Sequence, residues 1–221
     1  MKGILLTLGT LLAASQAHAF SYFNDFESPV GAEWNYTGTS SFNGSTLLGR
    51  MTNGAAQLTL TGLGIGDLVT IKFDFFALDS WDGSANNDRV VFDVDGVTKL
   101  DSTFSNVSFN AQNYPDPTGG GTFAAQTGSD NRDLSHGGTL PDGYYGNSVY
   151  KFGGGGPNAG FTAVATSSTM VLTWTASGLQ DIGDESWGLD NVSAQADLVP
   201  EPASLLAVGL GVALVARRRR K

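Results

Sequence analysis

Carboxylates are the side chains of this sequence with the most chemistry to offer. Seventeen of its 21 acidic residues are Asp and four are Glu, whereas Cys is absent and His occurs only at His18 and His136. Without Cys the chain has no disulfide, zinc–thiolate site or thiol nucleophile. Asp is common both in turns and among the ligands of calcium, and both interpretations stay open for most of these Asp residues.

The charge is distributed unevenly along the chain. Residues 20–198 contain 20 acidic and six basic residues, a net charge of −14, whereas five basic residues crowd positions 217–221. A surface of this charge attracts divalent cations and repels phosphate backbones. We therefore expect no nucleic-acid partner for the segment between the termini.

Catalytic arrangements are scarce. His136 lies in Ser135-His136-Gly137-Gly138 without the G-x-S-x-G pattern of a serine hydrolase, and one histidine is too few for a zinc site. Asp93 and Asp95 are two residues apart on one strand face, a spacing that would allow paired carboxylates for glycoside hydrolysis. Because they flank an Asp95-Gly96 turn, we expect turn or surface roles and predict no enzyme, with a glycoside hydrolase as the alternative.

The elements that position these residues are predicted to be β-strands. Apolar and polar residues alternate at 56–60, 68–78, 89–95, 99–104, 169–175 and 187–194, and no useful helical periodicity occurs between 20 and 198. Many short strands joined by Gly- and Asp-rich turns are typical of two packed antiparallel sheets. The sequence thus predicts an all-β domain at 20–198, an antiparallel two-sheet β-sandwich of jelly-roll type.

Residues 111–160 interrupt this pattern with runs of Gly, four of the seven Pro and four of the six Tyr. Such a long stretch without structure is unusual in a compact domain, so we expect short strands at 122–126 and 149–152. Exposed Tyr among Gly and Asn suits contact with a sugar or a protein. A poorly ordered insertion is the alternative.

Both ends of the chain are predicted to be targeting segments. Lys2, an apolar stretch over 4–14 and Ala17-His18-Ala19 predict a signal peptide, 1–19, cleaved before Phe20 rather than an uncleaved anchor helix. The apolar run 203–216, as a helix, spans about 21 Å, less than a hydrocarbon core of about 30 Å. We expect it to anchor the chain transiently in the inner membrane, with the basic tail 217–221 on the cytoplasmic side.

Residues 199–221 resemble a known family. Val199-Pro200-Glu201-Pro202, a short apolar run and an Arg cluster are similar to the PEP-CTERM sorting signal, also called the ice-binding protein C-terminal domain. The resemblance implies that Pro200, Glu201 and Pro202 form the sorting motif. It further implies an exosortase-type enzyme as partner, and export to the surface or exopolysaccharide matrix of a Gram-negative bacterium.

A second resemblance concerns the segment 20–198. Its Phe26-Glu27 near the start, Trp81-Asp82-Gly83, and Asp190-Asn191-Val192 near the end are similar to jelly-roll domains that include MAM domains and concanavalin-like carbohydrate-binding modules. In those folds the first and last strands lie side by side, and nearby acids can share a structural calcium.

This resemblance implies a calcium cofactor at acids near those strands, with Glu185 and Asn191 as weaker candidates. Such carboxylates would repel one another without a cation if the termini meet. The candidate ligands are Asp25, Glu27, Asp79, Asp82 and Asp190.

The function predicted from these observations is a non-enzymatic binding or structural protein of the cell envelope or matrix. It would hold polysaccharide by stacking aromatic rings on sugars, with Trp81, Tyr144 and Tyr145, and also Trp187, as candidates.

Two tryptophans and a row of threonines have other predicted roles. We expect Trp34 and Trp174 to belong to the core. A row of Thr169, Thr173 and Thr175 suggests ice or surface adhesion as a further alternative, although Val171 interrupts the row and Thr is common in any strand.

Overall fold

Every regular element in the described part of the chain is a β-strand. The computed structural model describes residues 19–116, 120–133 and 143–196, which contain 14 strands. The first seven are β1 (Phe20–Asn24), β2 (Thr39–Phe42), β3 (Ser45–Met51), β4 (Gly54–Thr61), β5 (Leu68–Asp79), β6 (Arg89–Val94) and β7 (Val97–Thr103). The others are β8 (Ala111–Gln112), β9 (Phe123–Ala124), β10 (Asn131–Asp133), β11 (Asn147–Phe152), β12 (Phe161–Val164), β13 (Thr169–Ser177) and β14 (Glu185–Ala196).

Two antiparallel sheets make up most of the domain. The larger, eight-stranded sheet has the order β10-β11-β5-β14-β3-β2, with β1 also paired to β14 and β12 to β5. The smaller sheet has the order β4-β13-β6-β7, and β8 and β9 form a separate pair. The all-β antiparallel class is confirmed, while the jelly-roll connectivity stays a prediction. The predicted signal and C-terminal helices lie outside the described residues, among which no helix is long and apolar enough to cross a membrane.

The main core lies between these two sheets. Alternate residues of β5, Ile71, Phe73 and Phe75, are fully buried against the smaller sheet. Phe73 meets Trp174 of β13 edge to face, with ring centroids 5.3 Å apart, and Phe92 of β6 stacks on Trp174 at 4.9 Å. Such aromatic pairs stabilise beyond the area they bury. The core position predicted for Trp174 is confirmed, and Trp34 is likewise buried.

Each of the six predicted strands is present, within longer boundaries in most cases. Asp95 and Gly96 form the two-residue loop between β6 and β7 with φ of 50° and 76°, as the Asp-Gly pair predicts. The β2–β3 hairpin was not predicted, although Asn43-Gly44 carries the same kind of signal, with φ of 49° and 83°.

The insertion contributes to the larger sheet. Short strands exist where they were predicted, as β9 and β11, and β11 lies between β10 and β5 in the larger sheet. Tyr114 and Tyr150 are buried in the main core, so the expectation that the tyrosines of this stretch are exposed is wrong for both. β11 places Tyr150 directly opposite Phe75, and Tyr114 meets Tyr150 edge to face with ring centroids 5.3 Å apart.

The first and last strands lie side by side. β1 pairs with the second half of β14 from Phe20↔Ala196 to Asn24↔Val192, while the first half of β14 pairs with β3. β14 therefore lies in the middle of the larger sheet, with β5 along its other edge.

The face of the larger sheet that points away from the main core carries its own apolar cluster. Side chains alternate along β5, so Asp74, Phe76 and Leu78 lie on the face opposite Phe73 and Phe75. Phe76 and Leu78 pack there with Phe42, Leu47, Tyr144 and Val149. The register places Lys151, Asp74 and Asp190 in one row across β11, β5 and β14.

Candidate functional site

A pocket lies on this outer face of the larger sheet. Its floor is formed by Asp74, Phe76, Val149, Lys151 and Asp190, and it encloses about 350 Å³. The β2–β3 hairpin lines one side with Phe42, Asn43 and Ser45, and Asp130, Asn131 and Asn191 line the rest. We call this the outer-face pocket. It presents carboxylates, amides and one ammonium next to an apolar surface.

Two of its carboxylates face each other on neighbouring strands. Asp74 of β5 is directly opposite Asp190 of β14, an arrangement that is unfavourable for like charges. Burial raises the pKa of Asp190 to about 6, and the nearby charges of Asp74 and Glu27 add to the effect. Burial also raises the pKa of Asp74, although the Asn191 amide and the Lys151 ammonium oppose the shift.

A β-bulge positions Asn191 in this pocket. The register of β14 against β5 shifts between Asp190 and Ser193, and Asn191 has a φ of 50°. Its Nδ2 donates to Asp74 Oδ2 at 2.9 Å, and its backbone N–H donates to Asp190 Oδ1 at 2.7 Å. The bulge thus supplies hydrogen-bond donors to both acids.

Glu27 is hydrogen-bonded to the β2–β3 hairpin. Its carboxylate accepts from Ser45 Oγ at 2.8 Å, Thr46 N at 2.7 Å and Thr46 Oγ1 at 3.1 Å. These bonds, the Thr46 N–H first, lower the pKa of Glu27. Ser45 Oγ also lies 3.4 Å from Asp190 Oδ2, and Asp25 Oδ1 accepts the Glu27 N–H at 3.3 Å. The oxygens of Glu27 are therefore occupied by protein donors.

A second group of acids is buried at the end of β5. One carboxylate oxygen each of Asp82, Asp88 and Glu185 lies within 4.8 Å of the other two. Asp82 lies in the β5–β6 loop, Asp88 immediately precedes β6, and Glu185 begins β14. Asp88 and Glu185 are both 0% exposed. We call these three residues the buried acid cluster.

The loop conformation places Asp88 in this cluster. Asp88 Oδ2 accepts the backbone N–H groups of Asp82 and Gly83, which closes the turn between them. Gly83 has a φ of 66°, and a Cβ at this position would lie 2.7 Å from the Ser105 Cβ and closer still to the Ala111 carbonyl oxygen. Only glycine fits here without strain.

The hydrogen bonds of the cluster leave one oxygen without a partner. Asp82 Oδ1 accepts from Asn110 Nδ2 at 2.9 Å, and Asp82 Oδ2 accepts from Asn86 Nδ2 at 2.5 Å. Glu185 Oε2 accepts the Gln180 N–H at 2.7 Å. Asp88 Oδ1 is buried and accepts no hydrogen bond.

Burial also affects the ionisation of these acids. It raises the pKa of Asp88 to about 6, and the charge of Asp82 acts in the same direction, while the two loop N–H groups and the neighbouring Glu185 carboxyl oppose the shift. It raises the pKa of Glu185 to about 7, with the charges of Asp88 and Asp82 acting in the same direction.

The five predicted calcium ligands do not converge on one site. Asp82 belongs to the buried acid cluster, and Asp190 lines the outer-face pocket. Glu27 is hydrogen-bonded to Ser45, another residue of that pocket, and Asp25 is linked to Glu27.

Asp79, the fifth predicted ligand, lies in a different environment. It is paired with Arg50 and also accepts the Tyr145 N–H at 3.1 Å. Burial raises its pKa and Arg50 opposes that shift. Asp79 is thus neutralised by an arginine. The five predicted calcium ligands therefore occupy separate places, and the expectation that they share one site is corrected.

Two of the three predicted sugar-stacking residues have no free ring face. Trp81 is fully buried and its Nε1 donates to the Ser186 carbonyl oxygen at 2.8 Å. Tyr144 is buried against Phe42, with ring centroids 5.8 Å apart. The prediction is wrong for both because these rings fill cores of the domain. Trp187, named beside them, is also fully buried.

Tyr145 is only partly buried, but its hydroxyl is engaged. It donates to the Asp184 carbonyl oxygen at 2.8 Å and lies 3.1 Å from Ser80 Oγ. Burial raises the pKa of Tyr145 to about 12. A role in ligand binding stays a prediction for this residue.

Two other polar residues named from the sequence, Asp95 and Thr173, make hydrogen bonds that hold strands and loops together. Asp95 Oδ1 accepts the Val171 N–H at 2.8 Å, which fixes the hairpin loop against β13. Thr173 Oγ1 accepts from Gln57 Nε2 at 3.3 Å on the outer face of the smaller sheet. Adhesion through the Thr row stays a prediction.

Asp88 and Asp74 were not among the candidate ligands named from the sequence, and Glu185 was named only as a weaker one. The segment from Asp82 to Asp88 begins and ends with Asp and contains Gly and two Asn, a composition that is typical of ligand-bearing loops. Asp74 was visible, together with Lys72, as a charged residue in the middle of a mostly apolar strand. Neither signal predicts which acids of other strands lie next to Asp88 or Asp74 in the fold.

Comparison with known proteins identifies the C-terminal segment and leaves the rest unassigned. Residues 198–221 match the family model of the PEP-CTERM protein-sorting motif. No protein of curated function matches this chain in sequence.

Several solved structures share low similarity with this chain. A family 35 carbohydrate-binding module from Clostridium thermocellum is 11% identical with a TM-score of 0.34, covering 79% of this chain and 97% of its own. The CBM35 from Cellvibrio japonicus Abf62 is 6% identical with a TM-score of 0.33, covering 79% and 92%. The basic winged bean lectin with Tn-antigen is 13% identical with a TM-score of 0.36, covering 83% and 100%. At TM-scores below 0.5, none of them transfers its ligand to this chain.

The predicted PEP-CTERM sorting motif is confirmed at the level of the sequence. Pro200, Glu201 and Pro202 all lie inside the matched segment. Their structure, like that of the predicted signal peptide, lies outside the described residues. The chain therefore carries a PEP-CTERM protein-sorting motif, which follows an all-β antiparallel domain in the sequence.

Proposed function

We propose that this protein is exported, sorted by an exosortase-type enzyme and displayed at the cell surface, where its β-domain binds polysaccharide in the outer-face pocket. The PEP-CTERM motif indicates an exported, exosortase-processed protein. The pocket supports the second half of the proposal, because its side chains offer the contacts that a sugar needs.

The observation that carries the proposal is the row of Lys151, Asp74 and Asp190 beside Phe76. Carboxylates accept hydrogen bonds from sugar hydroxyls, and the ammonium donates to them. A volume of about 350 Å³ is in the range of small-molecule sites, which is about 300–1,000 Å³. Binding at the pocket does not require the buried rings of Trp81 and Tyr144.

The test is retention of the full chain, solubilised in mild detergent, in native gels containing bacterial matrix polysaccharides. We expect Asp190→Asn and Lys151→Met to weaken retention about tenfold, because each removes a charged hydrogen-bonding group. Asp67→Asn is the matched control, since Asp67 accepts the Gly64 N–H in a distant loop and Asn preserves that bond. Equal retention of all four proteins would contradict the proposal.

A glycoside hydrolase is the second candidate, and the structure favours a different pair of acids for it. Asp74 and Asp190 lie opposite each other, and a carboxyl with a pKa of about 6 suits a general acid. Release of reducing ends from a retained polysaccharide, abolished by Asp190→Asn, would convert the binding proposal into a catalytic one. Retention without release supports binding alone.

A further inference from the structure

We propose that the buried acid cluster of Asp82, Asp88 and Glu185 binds one divalent cation of calcium type, which ties the β5–β6 loop to the start of β14. The site differs from the five-residue set predicted from the sequence, with which it shares only Asp82. It also does not depend on the sugar-binding proposal, because none of its three residues lines the outer-face pocket.

The three carboxylates of the cluster lie close together. Three carboxylates from two separate segments of the chain lie with one oxygen each within 4.8 Å of the others. Two of these side chains have no solvent exposure at all. Charges this close repel strongly when water does not screen them, so the arrangement requires a cation or bound protons.

One carboxylate oxygen of the cluster has no hydrogen-bond partner. Asp88 Oδ2 is held by two backbone N–H groups, which fixes the carboxylate, while Asp88 Oδ1 is buried without a hydrogen-bond donor. A buried polar atom without a partner is costly, and such atoms often mark the place of an ion or water. Here the carboxylate that carries it lies beside the two other acids of the cluster.

Among the described residues, no arginine or lysine forms an ion pair with the cluster. Arg89 follows Asp88 in sequence, but its guanidinium makes two hydrogen bonds to Asp101. Arg50 is paired with Asp79. In the described ranges these are the two ion pairs that arginine or lysine forms, and neither involves the cluster.

The chemistry of the donors favours calcium. Calcium takes six to eight oxygen ligands in flexible geometry; the three carboxylates offer one oxygen each, and water can complete the shell. The Asn86 and Asn110 amides already contact Asp82, and rotation of either by half a turn would present an oxygen instead. Magnesium requires a regular octahedron of ligands, which an irregular set from two segments suits less well.

The experiment is a thermal melt of the full chain, solubilised in mild detergent, in EDTA and in millimolar calcium chloride. We expect calcium to raise the Tm by about 4 °C or more, because an ion that binds only the folded state stabilises it. Calorimetry with calcium chloride is expected to show one site per chain. Asp88→Asn and Glu185→Gln are expected to abolish both signals.

The variants are chosen so that folding and binding are separated. Asn at 88 can still accept the two loop N–H groups, and Gln at 185 can still accept the Gln180 N–H, so both are expected to fold in EDTA. Asp190→Asn is the matched control, since it removes a buried acid with a raised pKa outside the cluster and is expected to keep the calcium shift.

Three results would overturn the proposal. The first is the absence of a calcium shift and of binding heat in the wild-type protein. The second is a shift that survives in both Asp88→Asn and Glu185→Gln, which would place the calcium elsewhere. The third is stabilisation by magnesium without stabilisation by calcium. None of these results concerns polysaccharide retention, which is measured separately.

Discussion

The two groups of carboxylates in this domain have the same chemistry but different surroundings. In the outer-face pocket, Asp74 and Asp190 have donors nearby, from Asn191 and Lys151, and border a cavity. In the buried acid cluster, Asp88 and Glu185 are sealed from solvent. Acids that border a cavity suit an exchangeable ligand, whereas acids that lack both solvent exposure and a counter-charge suit a permanent ion.

The net charge of an acidic domain says little about which of its acids bind a ligand. A net charge of −14 over residues 20–198 predicts attraction for cations everywhere on the surface. The structure instead distinguishes the acids by their partners. Asp79 has an arginine, Glu27 has three donors, and Asp88 keeps one oxygen unsatisfied.

The largest expected effect is that of Gly83→Ala, which would break the loop that carries Asp82 and Asp88. The φ of 66° and the lack of room for a Cβ predict a loss of about 2–4 kcal/mol in the free energy of unfolding. Denaturant unfolding in calcium measures it, and we expect the calcium shift to vanish as well.

The control for this variant is Gly96→Ala. Gly96 also has a positive φ, of 76°, but a Cβ there meets open space. We expect a loss of about 1 kcal/mol with the calcium shift intact. Equal losses in the two variants would show that the Gly83 loop has no special role.

Trp81→Phe is expected to have the next largest effect. It removes the hydrogen bond to the Ser186 carbonyl oxygen and leaves a cavity in the main core, at a cost of about 2 kcal/mol. Polysaccharide retention at temperatures well below the Tm should be unchanged. Lost retention with unchanged stability would instead restore Trp81 as a sugar-binding residue.

A smaller, pH-dependent effect is expected for Asp190→Asn. A carboxyl whose pKa is raised to about 6 in the folded state favours folding below its unfolded pKa of about 3.9 and loses that contribution as pH rises to 6. The variant lacks this penalty, so it should be more stable than wild type by about 1–2 kcal/mol at pH 7.

The measurement is the difference in unfolding free energy between this variant and wild type, taken at pH 7 and at pH 4. The difference should shrink toward zero at pH 4, where the wild-type carboxyl is protonated in the folded state. A difference that is equal at both pH values would contradict the raised pKa of Asp190.

The smallest expected effect is that of Arg89→Met. Its partner Asp101 and Arg89 itself are each more than one third exposed, so the ion pair should contribute less than about 1 kcal/mol. The calcium shift should be unchanged, since Arg89 does not neutralise Asp88. A smaller calcium shift would mean that Arg89 influences the cluster after all.

The sequence was informative where a signal is local. Alternation identified β5 and β13, the Asp95-Gly96 pair identified a hairpin, and Pro200-Glu201-Pro202 identified the sorting motif. These features depend on residues within a few positions of one another, so no long-range pairing is needed to read them.

The site was less predictable because it depends on strand register. Asp74 meets Asp190 across 116 positions only because β5 pairs with β14 in one register, and a shift by one residue would put Asp74 on the core face. Glu185 joins Asp88 for the same kind of reason. Trp81 and Tyr144 were misjudged because an aromatic residue fills cores and binding sites equally well, and its residue type does not distinguish them.

The most direct test compares both properties in the same three proteins: wild type, Asp88→Asn and Asp190→Asn. Polysaccharide retention and the calcium-induced shift in Tm are measured for each. We predict that Asp88→Asn loses the shift and keeps retention well below its Tm, whereas Asp190→Asn loses retention and keeps the shift. Loss of both properties in both variants, or of neither, would contradict two separate sites with separate roles.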